Sequence, residues 1–95
     1  MPAPLALPAD VRAYKRTRTF TEATVPRALT TDHDTRPGVW GRIVIASGAL
    51  DYVVLEGPHT GRYPLDPDTP GVVAPTVRHR VELRGPVSFY VEFHR

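Results

Sequence analysis

The stretch "VWGRIVIASGALDYVVLE", residues 39–56, decides how this chain is read. Two apolar runs rich in Val, Ile and Tyr flank Ser47-Gly48, and such runs favour extended backbone. A small polar residue and a glycine between two β-forming runs is the signal of a two-residue hairpin. The stretch therefore predicts one strand over 39–46, a turn at Ser47-Gly48 and a second strand over 49–56.

Outward from that pair the same grammar repeats. Eleven prolines and seven glycines punctuate the 95 residues, and no window carries apolar residues at helical spacing. "YKRTRTF" (14–20), "RYPL" (62–65), 72–74, 77–84 and 87–94 read as further strands, the last two separated by Gly85-Pro86. "GPHTG" (57–61) and "DPDTPG" (66–71) read as loops, since their acids, prolines and glycines suit turns. About seven or eight short strands at this spacing predict an all-β domain, a small sandwich or barrel. Residues 1–10 form a proline-rich arm and 11–95 a single domain, with no internal repeat.

Composition narrows the function classes. With no cysteine, neither a disulfide nor a thiolate metal site is available. Twelve cations, eleven of them Arg, face ten acids, a mild basic bias and no nucleic-acid signature. "RAYKRTRTF" (12–20) interleaves four cations with two aromatics, a pattern that also occurs where single strands are bound. The same run reads better as an edge strand with outward charges, which blocks edge-to-edge pairing. "MPAPLALPADV" lacks the charged start of a signal peptide, and no apolar run reaches membrane-spanning length. These readings predict a cytoplasmic protein with no membrane association and no nucleic-acid partner.

One residue interrupts a simple apolar pattern. In "PGVVAPTVRHRVEL" (70–83), Val77, His79, Val81 and Leu83 share one side of a strand, with Arg78, Arg80, Glu82 and Arg84 on the other. His79 therefore points where the valines are buried, as a hydrogen-bonded core residue or as a ligand for something inside. His33, in "DHDT" (32–35), reads as a second ligand or as an exposed loop residue between two aspartates. His59, in a turn loop, and His94, at the chain end, read as solvent residues.

"GVWGRIVIASGALDYVV" and "PGVVAPTVRHRVEL" resemble the two halves of a cupin, with Gly48 at the hairpin-glycine position and Pro75 ahead of His79 in the second motif. The first motif departs from the general pattern: its acid position falls near Gly41 and its paired histidines reduce to "DHDT". With "DHDTRPGVWGRI", "APTVRHRVE" and the closing "FYVEF", the chain resembles the small TehB/YeaR-like cupins over about residues 14–94. These are tellurite-resistance-associated domains found alone or fused ahead of a methyltransferase, and no Gly-rich cofactor loop of a methyltransferase is present here.

The resemblance implies a cupin-like β-barrel, or jelly roll, of the double-stranded β-helix type. It implies a divalent metal, zinc first with iron, nickel or manganese as alternatives, held by His33, His79 and a carboxylate. Glu82 matches the family's "HRVE" motif, yet strict alternation turns it away from His79 unless a β-bulge intervenes, and Glu92 is the reserve. Trp40, Arg42, Tyr90 and Glu92 would line the pocket, with Arg42 offering a fork to a planar anion. The ligand would be a small molecule or oxyanion met during chemical stress, and the small core favours a homodimer. The competing reading is a metal-free interaction module that partners an enzyme encoded elsewhere.

Overall fold

The structure, a computed structural model, describes residues 6–95. It contains β1 (Ala13–Arg16), β2 (Phe20–Thr21), a single helical turn α1 (Arg27–Thr30), β3 (Trp40–Val54), β4 (Gly61–Leu65), β5 (Gly71–Val73) and β6 (His79–His94). Of the proline-rich arm, residues 1–5 lie outside the described residues. The helical turn was not legible in the sequence; it starts directly after Pro26, whose extended backbone caps it. Among the described residues no helix is long and apolar enough to cross a membrane.

The hairpin expected at Ser47-Gly48 is absent. β3 runs through it and pairs antiparallel with β6 over its whole length, from Trp40 opposite His94 to Val54 opposite His79. Register shifts between Ile45 and Ser47 and between Gly48 and Leu50 mark β-bulges on either side of the predicted turn. Gly48 takes φ +78°, and a Cβ there would collide with the Pro86 carbonyl oxygen and lie 2.9 Å from the Val87 Cα. The positive φ that a hairpin needs thus serves a bulge instead. Gly85-Pro86, expected to separate two strands, likewise sits inside β6, with Gly85 at φ +90°. Ser47 and Ser88 join across this corner by a hydroxyl–hydroxyl bond of 2.8 Å.

The ribbon changes neighbours at the corner. One half is flanked by β5 on β3 and by β1 and β2 on β6; the other half carries β4 on β3. The hydrogen-bonded path runs β1-β6-β3-β4 and does not close into a barrel. The fold is therefore all-β and antiparallel in one compact domain, with an open sheet where a closed shell was expected. The reason is local: β4 and β5 occupy different halves of the same β3 edge and do not pair with each other.

The core follows from alternation across the corner. β6 buries His79 and Val81 before the corner and Val87, Phe89 and Val91 after it, all odd-numbered, with Leu83 partly buried and Gly85 exposed between the two groups. β3 buries Ile43 and Ile45, then switches to Leu50, Tyr52 and Val54, because the bulged segment between them shifts its parity. Phe20, Leu65 and Val73 fill in from the flanking strands. Phe89 and Leu50 are fully enclosed, and Phe20 meets Phe89 edge-on with centroids 5.8 Å apart. β1 is wholly exposed at the sheet edge, as the charged run predicts.

Candidate functional site

β6 begins at His79, and there its free edge meets the segment carrying His33. The two residues form an antiparallel bridge in which each N–H donates to the other's carbonyl, at 2.9 and 2.8 Å. Directly opposed residues project their side chains to the same face. The two imidazoles accordingly lie together, with ring centroids 4.1 Å apart and planes at 61°.

Backbone carbonyls also fix how each ring presents its nitrogens. Nδ1 of His33 sits 2.9 Å from the Thr31 oxygen, and Nδ1 of His79 sits 2.8 Å from the Val77 oxygen. A carbonyl only accepts, so each Nδ1 donates and each neutral ring keeps its lone pair on Nε2. Burial holds the His79 imidazole below its ordinary pKa; the Val77 carbonyl opposes this, nearby His33 adds to it and Asp34 counters it. Both rings open onto a cavity of about 340 Å³ whose walls include Lys15, Asp34, Arg36 and Val91.

Glu82 is not part of this arrangement. It lies on the opposite face of β6, where its two oxygens accept from Arg62 Nη1 at 2.7 Å and Arg80 Nε at 2.8 Å. No register shift falls between His79 and Glu82, so the bulge that would have turned the carboxylate inward is absent and alternation prevails. The Arg62 and Arg80 guanidiniums hold the Glu82 carboxyl below the usual carboxylate range. Asp32 and Asp51 extend the same outer lattice, bound by Arg78, Arg80, Arg62 and Arg84.

The expected pocket residues also lie elsewhere. Trp40 stands opposite His94, Arg42 is exposed opposite Glu92, and Tyr90 carries the Arg16 guanidinium 4.6 Å from its ring centre. Glu92 bonds to His94 Nε2 at 2.9 Å. None of the four borders the cavity of the two histidines. His94, expected in solvent, is buried. The acid that does line the cavity is Asp34, whose only signal in the sequence is its place beside His33.

The pair can be tested against a metal on its own chemistry. Two imidazoles with Nδ1 tied to carbonyls and Nε2 unengaged match the arrangement in which histidine ligates an ion. Among the described residues no group of three His, Cys, Asp or Glu comes together to hold one. A cation bound between the two rings would take two donors from the described residues, one fewer than a catalytic zinc normally has.

The sequence pattern of the TehB-like domain matches residues 15–91. The crystal structure of TehB from Haemophilus influenzae superposes with a TM-score of 0.80 at 23% identity, over 90% of this chain and 32% of that one. A crystal structure of a protein from E. coli strain K12 superposes with a TM-score of 0.83 at 21% identity, over 96% of each chain. At such identities the likeness establishes the fold. The chain spans about a third of the length of the Haemophilus protein. No functionally curated protein matches it.

Proposed function

The chain belongs to the TehB-like domain family, a tellurite-resistance-related family, and from that premise we propose that it is a cytoplasmic binding module of cupin type. His33 and His79 take a divalent cation, zinc first, and a small molecule or oxyanion fills the remaining positions within the cavity. One observation carries this reading: two imidazoles 4.1 Å apart both present an acceptor nitrogen. Acceptors repel a bare oxyanion and attract a cation or a hydrogen-bond donor. Lys15 and Arg36, on the same walls, supply the positive charge that an anionic ligand needs.

Each residue has a separate task. The Thr31 and Val77 carbonyls lock the two rings in orientation, and Val91 and Phe93 keep part of the wall apolar. A cation bound there would act as a Lewis acid on the ligand it shares. Metal analysis of the purified protein tests the proposal. Stoichiometric zinc is expected in the wild type and in Glu82→Ala, with affinity falling at least about 100-fold in His79→Ala. Equal retention in wild type and His79→Ala would refute it.

The two-donor site gives the metal-free interaction module its own support. That reading predicts an unchanged melting temperature on adding chelator, since nothing bound to the folded state is removed. We also propose that the domain pairs as a homodimer, because a chain of this size buries a modest core alone. Sedimentation showing only the 10.5 kDa species at micromolar concentration would remove the dimer.

A further inference from the structure

The cavity that holds the His33 and His79 rings has a second wall, built from the other half of the sheet. One row of directly opposed residues crosses four strands there: Lys15 on β1, Phe93 on β6, Gly41 on β3 and Val73 on β5. Opposed residues share a face, and all four border the cavity. A bulge in β1 between Ala13 and Lys15 sets this register. The Lys15 ammonium stands 5.9 Å from the centre of the Phe93 ring, at the exposed edge of the sheet.

Inward from the ammonium this wall is apolar. A Cβ on Gly41 would lie 3.2 Å from the Val73 Cβ and 3.7 Å from Val91 Cγ1, so glycine lets the two valines close into a continuous floor. Among the charged side chains that line the space, Lys15 and Arg36 outnumber Asp34, which leaves one positive charge without a counterpart. An inorganic oxyanion carries oxygen on every side and would turn some of it onto Val73, Val91 and Phe93 unpaired, at a desolvation cost. A carboxylate on an apolar body gathers its charge at one end and buries the rest. An apolar cavity of roughly 150 Å³ accommodates one benzene ring. The volume here, about 340 Å³, has room for such a ring and its substituent.

We propose that the cavity takes a small monocarboxylate with an apolar body the size of a single ring, its carboxylate on Lys15 and its body on the floor of Val73, Val91 and Phe93. This names the ligand class of the binding-module reading and rests on it. The acid is held by the ammonium and the floor, and its binding needs no metal.

Titration of the isotope-labelled full chain with benzoate, after dialysis against chelator, tests this by amide chemical shifts, with benzyl alcohol and sulfate in parallel. Saturable shifts are expected at Lys15, Gly41 and Val73, with benzoate binding about 10-fold tighter than benzyl alcohol. Sulfate should give no saturable shift at Gly41 or Val73. Lys15→Met, a change at an exposed position, should bring benzoate down to the affinity of benzyl alcohol while the spectrum stays dispersed. No saturable benzoate shift, a preference that survives Lys15→Met, sulfate saturating the same amides, or binding that requires added zinc would each overturn the proposal. Zinc retained by a protein that ignores benzoate would sink this inference alone. Benzoate bound by a protein that retains no zinc would leave it standing and remove the proposed cation.

Discussion

The two faces of one short run, His79 to Arg84, use charged and titratable residues in opposite ways. On the inner face His79 and Val81 are buried, and the imidazole meets its partner His33 with a nitrogen still unengaged. On the outer face Arg80, Glu82 and Arg84 enter a lattice in which every acid already faces an arginine. For Glu82 to ligate an ion it would have to release Arg62 from one oxygen and Arg80 from the other. Ligand chemistry is thus decided less by residue type than by which face a side chain occupies and what its neighbours have satisfied. A carboxylate three residues from a histidine is near it in sequence and on the far side of the sheet in space.

The sharpest way to break this contrast is at Asp51, the one buried member of the outer lattice. It is 3% exposed, and its Oδ2 accepts from Arg62 at 2.9 Å and faces Arg84 at 3.4 Å. Removing one partner of a buried pair leaves the other charges without compensation. Both arginines here are half exposed and can rehydrate, which reduces the penalty. Asp51→Ala should therefore lose about 2 kcal/mol in urea unfolding, with an unchanged denaturant slope. Metal retention should stay at the wild-type level, because the inner face is untouched. A variant as stable as wild type would show that the outer lattice has no anchor at Asp51, and lost metal would show that the two faces are coupled.

How much of this was legible in the sequence depends on what each signal needed. Alternation in "VRHRVEL" placed His79 inward and Glu82 outward, and the structure agrees with alternation over the motif that favoured Glu82 as a ligand. The juxtaposition of His33 and His79 came from resemblance alone, since no local pattern reports a bridge between residues so distant in sequence. Ser47-Gly48 misled because a glycine at positive φ serves a tight turn and a bulge equally well. What separates the two outcomes is the pairing of β3 with the distant β6, which local chemistry does not encode. The burial of His94 escaped for the same reason: it comes from tertiary neighbours, not from its own segment.

The smallest expected effect is also on the outer face, at Glu82. Hydrogen bonds from Arg62, and then from Arg80, hold its carboxyl below the ordinary value of 4.5. Between that depressed pKa and the ordinary one, the unfolded chain binds the proton more readily than the folded chain does. Stability from this group is therefore fully present above the ordinary value and is lost as pH falls through the folded pKa. Glu82→Gln removes the linkage, so the difference in melting temperature between wild type and variant should be largest near neutrality. It should shrink steadily on acidification and stay below the effect of Asp51→Ala throughout. Because the carboxylate and its arginines are all partly in solvent, added salt should narrow the gap further. A gap that stays constant from neutral pH into the acid range would mean that Glu82 acts through shape and not through charge. The description of the outer face as an electrostatic lattice would then fail at its best-connected carboxylate.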